Sequence, residues 1–331
     1  MKNGSRCRKR QERKMSTLLN NFMSEAQMIG VGTLVTFVIT FLALKFPLPF
    51  LPVDKGREYA LNGQLSKGKV RGAGLLLVIS FAIGSLLFMP INTEYVIYLI
   101  LMGCMMLSGY LDDASDKPWS DYKKGLIDFV IAAVTMWTFV TNNSTAITVG
   151  VWTFELPKLL YAVLGVVLLW VSVNVTNCTD GVDGLCASVV SVSLIGFSLI
   201  FGDLLASYAL ANYLLIAVLF AYLCFNSSPS SMLMGDAGSR ALGFYLALIA
   251  MKTGRPFIFI LLAGVLIVDG GLGLVKIFLK RFLKISIWEN IRMPIHDHMR
   301  KKHMWSDTQV VVRFSMIQVL LAVIAYIWIC G

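Results

Sequence analysis

Residues 157–202 read PKLLYAVLGVVLLWVSVNVTNCTDGVDGLCASVVSVSLIGFSLIFG, and this stretch predicts the fold of the whole chain. Two apolar runs, 157–174 and 184–202, lie on either side of a short polar loop. Apolar runs of roughly 17–25 residues, rising about 1.5 Å per residue, cross the hydrocarbon core of a bilayer as helices. The stretch therefore predicts two transmembrane helices whose connecting loop, with its acids and glycines, lies at one membrane face.

The rest of the chain repeats this pattern of apolar runs and short polar connections. Of its 331 residues, 57% are apolar and 15% are charged, a balance typical of membrane proteins. We therefore expect an all-α, polytopic integral membrane protein in which a basic tail, residues 1–27, precedes a single ten-helix transmembrane domain, residues 28–331. The predicted spans are 28–46, 72–90, 94–111, 125–141, 157–174, 184–202, 206–225, 238–251, 257–279 and 309–329. The cysteines form no CxxC pair, so neither a disulfide nor a zinc site is predicted.

Nearly all polar motifs fall in alternate connections, which an even number of spans places on one side of the membrane. These connections carry fifteen Lys and Arg residues, whereas the opposite connections carry only Lys252 and Arg255. The excess of positive charge predicts that the motif side faces the cytoplasm. The basic tail would then lie outside, so we expect translation to begin at Met15 or Met23. The net charge of +10 favours anionic lipid head groups and phosphorylated substrates as partners rather than nucleic acid.

Adjacent acids end the third span, in the sequence Leu111-Asp112-Asp113. Neighbouring residues on a helix point about 100° apart, so one carboxylate can face a divalent cation while the other faces a different partner. The alternative is a solvated helix end. The pair therefore indicates metal or phosphate chemistry only if other motifs join it.

A second acidic motif, Asn177-Cys178-Thr179-Asp180-Gly181-Val182-Asp183-Gly184, follows the fifth span. The spacing of Asp180 and Asp183 would put both carboxylates on one face of a helical turn. The loop holds no Lys or Arg, so a metal or a neutral hydrogen-bonding ligand is expected. The alternative interpretation is an ordinary capped turn.

Two further loops complete the polar set. Asn226 and the sequence Met234-Gly235-Asp236 precede the eighth span, where Asp236 either serves a site at a helix N-terminus or simply caps it. The last loop contains Pro294-Ile295-His296-Asp297-His298 beside a basic run, a clustering that suits pyrophosphate binding. Asp269 lies in the middle of the ninth span, where an acid is a functional or packing feature by default, and a packing role is favoured.

In their joint order these loops resemble the polyprenyl-phosphate N-acetylhexosamine-1-phosphate transferases, and within them the phospho-N-acetylmuramoyl-pentapeptide branch. The resemblance runs from about residue 67 to 318 and includes the stretch Trp305-Ser306-Asp307 through Val310-Val311-Val312-Arg313-Phe314. It implies transfer of a phospho-sugar from UDP-N-acetylmuramoyl-pentapeptide to undecaprenyl phosphate in a bacterial plasma membrane, with Mg²⁺ as cofactor. A homodimer is common in the resembled family.

The resemblance also implies roles for individual residues. The implied catalytic residues are Asp112, Asp113 and Asp236. The implied substrate-binding residues are Lys67, Lys124, Asn177, Asp180, Asp183, Asn226, His296 and His298. The implied magnesium ligands are Asp236, Asp113 and Asn177. A covalent aspartyl-phosphate route remains an alternative to direct transfer.

Three departures from the family pattern affect the expected site. Asp297 stands where the family has the middle of three histidines, Val70-Arg71-Gly72-Ala73-Gly74 replaces the usual Pro-Thr-Met-Gly-Gly, and the loop after Asp113 is shorter. In an extended segment, alternation would put His296 and His298 on the substrate face. Asp297 would then point away and pair with Arg300 or Lys301.

Two other functions are weighed against this one. The same chemistry with UDP-N-acetylglucosamine would serve another polymer, although the Pro-Ile-His-x-His and Val-Val-Val-Arg-Phe stretches argue against it. An ion-coupled transporter should hold its acids near the middle of the membrane, whereas these acids, Asp269 excepted, are predicted at one face.

Overall fold

A computed structural model describes residues 24–46, 48–54, 56, 66–115, 117 and 119–331 of the chain, and this part is predominantly helical. The longer helices are α1 Glu25–Lys45, α2 Gly74–Phe88, α3 Thr93–Ala114, α4 Asp121–Asn142, α5 Lys158–Thr179, α6 Leu185–Leu205, α7 Ser207–Asn226, α8 Gly235–Lys252 and α13 Asp307–Cys330. The predicted start at Met15 or Met23 lies outside the described residues.

Within the described residues, seven helices are long and apolar enough to cross a membrane, and an eighth span is counted if one bent pair of segments is taken together. The all-α, polytopic membrane class is thereby confirmed. The remaining predicted spans also form helices: α2 is apolar but has 15 residues, and α8 is buried along nearly its whole length between neighbouring helices. The count of ten membrane crossings stays a prediction.

The ninth predicted span is broken rather than straight. Segments Pro256–Leu262 and Gly264–Leu283 meet at 75°, and Ala263 between them has non-helical backbone angles. The first segment contains α9 Phe259–Leu262. The second segment comprises, in chain order, α10 Gly264–Leu266, a π-helix Ile267–Gly271, α11 Leu272–Phe278 and a π-helix Leu279–Leu283. Exposed backbone groups are costly in an apolar interior, so such a break needs side-chain partners.

Gln318 of α13 supplies these partners. Its side-chain oxygen accepts a hydrogen bond from the Val265 N–H at 3.0 Å, and its amide nitrogen donates to the Leu261 carbonyl at 3.0 Å. Gln318 is fully buried, so its two hydrogen bonds stabilise the bend that apolar periodicity alone did not reveal.

Polar side chains gather at the two ends of the helical bundle. At one end, Lys252 closes α8 and lies 2.6 Å from Glu94 and 2.8 Å from Asn143, which ties together α3, α4 and α8. A small hairpin, β1 Ala146–Val149 and β2 Trp152–Glu155, lies beside this end and presents exposed apolar side chains. The motif loops meet at the other end.

The two-ended arrangement predicts which positions a membrane-impermeant thiol reagent reaches. Val151 in the hairpin is 91% exposed, and Met304 between α12 Ile295–Lys302 and α13 is 81% exposed. In intact cells carrying a version without native cysteines, we expect Val151→Cys to be labelled from outside and Met304→Cys to react only after permeabilisation. Labelling of Met304→Cys in intact cells would reverse the predicted orientation.

Candidate active site

A short strand-like pairing brings the segment before α2 against the segment before α8. Val70 forms isolated bridges with Val53 and Met232, and the Leu233 N–H donates to the Val70 carbonyl at 2.8 Å. The Gly74 N–H donates to the Met234 carbonyl at 3.0 Å. These backbone hydrogen bonds place residues 69–71 directly beside the N-terminus of α8.

Asp113, Asp236 and Arg71 form the centre of the site. The Asp236 N–H, in the first turn of α8, donates to Asp113 Oδ2 at 2.8 Å. Arg71 Nη2 lies 2.7 Å from Asp113 Oδ1 and 3.6 Å from Asp236 Oδ1, and its Nη1 lies 3.1 Å from Asp54 Oδ2. The free amides at a helix N-terminus favour negative charge, so α8 itself stabilises the Asp113 carboxylate.

Gly235 is required for this contact. Its φ is +67°, in the left-handed region that side chains rarely adopt, and a Cβ there would collide with Asp113 Oδ2. The glycine therefore allows the carboxylate of α3 to reach the first amides of α8.

Asp112 faces a different partner from Asp113. Lys124 Nζ lies 2.5 Å from Asp112 Oδ2 and 4.0 Å from Asp236 Oδ2, and the Trp119 N–H donates to Asp112 Oδ1 at 2.7 Å. The two adjacent acids thus point apart, as residues about 100° apart on a helix do. Lys124 stands between Asp112 and the central acids.

Residues 177–184 form a turn between α5 and α6 that contacts the same centre. Asn177 Nδ2 donates to Ser239 Oγ at 2.9 Å, one turn into α8 from Asp236. Asp183 Oδ2 accepts the Ser230 N–H at 2.9 Å and lies 3.7 Å from Lys69 Nζ. Asp180 caps the C-terminus of α5 and is partly buried.

Asn226 and Lys67 differ from the other expected substrate residues. Asn226 is 3% exposed, and its amide accepts the Gly184 N–H and donates to the Met232 carbonyl, both at 2.8 Å. Its side chain therefore shapes the turn. Lys67 is exposed and pairs with no acid in the described part of the chain, whereas Lys69 and Arg71 both contact acids.

His296 is held rigidly by Asp269. Asp269 Oδ1 accepts the His296 backbone N–H and Oδ2 lies against His296 Nδ1, both at 2.8 Å, and both side chains are at most 3% exposed. A Cβ at Gly181 would collide with the imidazole at Nε2, so the ring edge lies directly against the acidic turn. Asp269 thus positions a predicted site residue. The position of Asp269 in the middle of an apolar span indicated a special role from sequence alone. No sequence pattern indicated that His296 is its partner.

The segment around Asp297 is a helix, α12, and not the extended segment expected from sequence. Residues two apart on a helix point about 200° apart, so His296 and His298 do not share a face, and that expectation was wrong. The predicted pairing of Asp297 with Arg300 is confirmed at 3.4 Å, but Asp297 Oδ1 also lies 3.8 Å from His296 Nε2. The acid therefore borders the imidazole instead of pointing away.

His298 faces a basic recess formed by α11, residues 289–293 and α12. Its Nδ1 accepts the Arg292 N–H at 3.2 Å, and Lys276, Lys301 and Lys302 line the same recess. Desolvation, with repulsion from Lys302 and His303, holds the pKa of His298 below its usual value. A neutral His298 can keep this acceptor role and still donate through Nε2.

The central residues fit a magnesium ion that shares its coordination with phosphate. Mg²⁺ in phosphoryl-transfer sites uses one or two carboxylates plus substrate oxygens and water. Asp113 and Asp236 are such a pair, and no group of three or more His, Cys, Asp or Glu in the described residues could hold a metal alone. Among the residues that the structure describes, Asp54, Asp112, Asp113 and Asp236 pair with Arg71 and Lys124, so this set of ionised acids has a surplus equal to one divalent charge.

Arg71 is the site residue that sequence reasoning missed. Burial disfavours its charge, but Asp113, Asp236 and Asp54 outweigh this cost and raise the pKa of its guanidinium. The only sequence signal was the altered Val70-Arg71-Gly72 stretch. Its three partners come from distant parts of the chain.

The fold and this site define a membrane-embedded transferase. Residues 95–254 match the family described as Glycosyl transferase family 4. The phospho-N-acetylmuramoyl-pentapeptide-transferase of Treponema pallidum, strain Nichols, is 36% identical over 91% of this chain and 89% of its own length. Enzymes of the same name from Desulfosudis oleivorans and Caldanaerobacter subterraneus are 28% and 27% identical over 89% and 91% of this chain, and 90% and 98% of their own lengths. The chain belongs to the phospho-N-acetylmuramoyl-pentapeptide-transferase family and is a glycosyl-1-phosphate transferase.

The contact between Asp269 and His296 predicts that the two residues act as one unit. We expect His296→Ala and Asp269→Asn each to lower kcat at least about tenfold, because either change frees the imidazole from its position. The double variant should lose little more than the worse single variant. Additive losses, measured by turnover of purified folded protein, would show that Asp269 acts independently of His296.

Proposed function

We propose that the protein transfers phospho-N-acetylmuramoyl-pentapeptide from UDP-N-acetylmuramoyl-pentapeptide to undecaprenyl phosphate, giving lipid I and UMP. The observation that supports this proposal best is the convergence of Asp113, Asp236, Arg71 and Lys124 at one end of an apolar bundle. Such a cluster meets both a lipid phosphate at the membrane surface and a water-soluble nucleotide. The excess of basic residues on this side favours a cytoplasmic location in a bacterial plasma membrane.

The reaction would exchange one phosphoanhydride bond for another. A lipid phosphate oxygen attacks the phosphorus that carries the sugar, the bond from that phosphorus to the UMP oxygen breaks, and UMP departs with the electron pair. The second pKa of a phosphate monoester is near 6, so at neutral pH little base catalysis is needed. Phosphoryl transfer of this kind depends mainly on positioning and charge stabilisation.

The protein's own residues would supply that positioning. Lys124, oriented by Asp112, presents its ammonium group toward Asp236 and is placed to bind the lipid phosphate. His296 faces the Gly181 turn and uses Nδ1 on Asp269, so as an imidazolium it can donate from Nε2 to a pyrophosphate oxygen. Magnesium at Asp113 and Asp236 would neutralise charge on the pyrophosphate and on the leaving UMP.

Ion-coupled transport fits the arrangement less well. The acids of the described cluster lie at one end of the bundle, and Asp269 is occupied by His296 rather than open to an ion path. Transporters place their coupling acids near the membrane midplane, beside discontinuous helices.

The same reaction with UDP-N-acetylglucosamine as the donor is a separate alternative, which a donor competition assay tests directly.

The central test is transfer of radiolabel from UDP-N-acetylmuramoyl-pentapeptide into lipid by purified protein. We expect transfer to require Mg²⁺ and Asp236→Asn to lower it by at least about a thousandfold, because the change removes the more accessible of the two proposed metal carboxylates. Glu155→Gln, an exposed acid in the hairpin at the opposite end, is the matched control and should retain full activity. Near-normal transfer by Asp236→Asn at any Mg²⁺ concentration would remove Asp236 from the reaction.

The turn at residues 177–184 is proposed to bind the nucleotide, with Asp183 accepting a hydrogen bond from uracil N3–H. Asp183→Ala should raise KM for the UDP substrate roughly tenfold, the cost of one hydrogen bond to a charged group, and leave KM for the lipid nearly unchanged. Because Asp183 also accepts the Ser230 N–H, Ser230→Pro serves as a control for the loss of this internal contact, and Ser230→Ala is run beside it because either change also removes the hydroxyl that accepts from Lys69. Equal increases in both KM values for Asp183→Ala would place Asp183 outside the nucleotide site.

A further inference from the structure

Arg71 holds Asp113 far more tightly than it holds Asp236. Its Nε and Nη2 lie 2.9 and 2.7 Å from the same oxygen of Asp113, while the other oxygen accepts the Asp236 N–H. The Asp236 carboxylate lies 3.6 Å from Arg71 on one side and 4.0 Å from Lys124 on the other. An incoming cation therefore meets an accessible Asp236 and an Asp113 that is already paired.

The surroundings keep the guanidinium in this position. Its Nη1 contacts Asp54, which is itself 4% exposed and accepts hydrogen bonds from the Gly56 N–H and the Ser66 hydroxyl. A guanidinium offers several donors in a fixed planar arrangement, so it can contact three carboxylates at once, which an ammonium group does less well. Arg71 thus joins the segment before α2, the end of α3 and the start of α8.

We propose that Arg71 is a positioning residue that acts as the built-in counter-ion of Asp113 and Asp236 and competes with divalent metal for Asp113. This inference rests on the metal site of the proposed function. Without metal, Arg71 neutralises acids that would otherwise repel each other across the junction of α3 and α8. With metal, the guanidinium releases Asp113 or remains as a positive neighbour, and in either case it weakens metal binding.

The test measures metal binding in the absence of substrate and is independent of turnover. Purified full-length protein is titrated with Mn²⁺, and free Mn²⁺ is followed by electron paramagnetic resonance. Arg71→Gln, which keeps a hydrogen-bond donor but loses the charge, should bind Mn²⁺ at least about tenfold more tightly than the unsubstituted protein, since a unit charge within about 5 Å repels a divalent ion strongly. Arg71→Lys, which keeps the charge but not the planar contacts, should fall between the two.

Lys117→Met is the matched control for charge, because Lys117 lies in the loop after Asp113 at the same end of the bundle and is exposed. Its Mn²⁺ affinity should stay within about twofold of the unsubstituted protein, as expected for a screened surface charge. Equal affinities for Arg71→Gln and the unsubstituted protein, or weaker binding by Arg71→Gln, would overturn the role of Arg71. If neither the unsubstituted protein nor Arg71→Gln binds Mn²⁺, the metal site of the proposed function is overturned instead.

Thermal unfolding gives a second readout. Without metal, Arg71→Gln and Arg71→Lys should both unfold at a lower temperature than the unsubstituted protein, and Mg²⁺ should raise the Tm of each by a larger increment. If Arg71→Gln does not fold, Arg71→Lys decides the question by the same comparison. Equal Mg²⁺-induced increments in Arg71→Lys and the unsubstituted protein would contradict the competition.

Discussion

The hydrogen bond from the Asp236 N–H to the Asp113 carboxylate joins the end of one membrane helix to the beginning of another, and the site depends on it. A buried carboxylate is costly unless charged or polar groups compensate it. Here the Asp236 N–H, in the first turn of α8, compensates one oxygen and Arg71 the other. Both Asp236 and Ser239 belong to the buried helix α8, so moving α8 would displace Asp236 and break the contact between Ser239 and Asn177. The geometry of the site is therefore a consequence of how α8 is packed.

The broken ninth helix matters for the same reason. Gln318 satisfies the backbone groups freed at the bend, and the π-helix that follows carries Asp269. Short π-helical segments often occur at functional sites. Asp269 uses both carboxylate oxygens on His296, so the imidazole is fixed by a membrane helix although it belongs to a short helix in a loop. His296 is therefore held in place as firmly as a residue of the helical bundle, although its own segment lies in a loop.

Sequence patterns predicted the helices and the gathering of polar motifs well, because both follow from local composition. The span predicted at 206–225 is the helix Ser207–Asn226, and that at 309–329 lies within Asp307–Cys330. Periodicity could not predict contacts between distant residues, such as those of Arg71 with Asp54 and Asp113. It also could not reveal the break at Ala263, since every flanking residue is apolar and the stabilising Gln318 lies in another helix.

The two ends of the bundle differ in how their charges are compensated, and this difference has a functional consequence. Lys252 at the hairpin end is paired with Glu94 and Asn143 and packs near the ring of Tyr208. Its charge is therefore compensated within the protein and its role is structural. In the central cluster at the motif end, the four acids Asp54, Asp112, Asp113 and Asp236 meet two of the described cations, Arg71 and Lys124, and Lys124 is shared between Asp112 and Asp236. Incomplete compensation costs stability, and such a cost is expected where a ligand completes the charge balance. In the proposed reaction that ligand is a metal ion together with the phosphates of the two substrates. Before the metal and the substrates bind, Arg71 reduces the repulsion between the acids of the cluster and so limits the loss of stability.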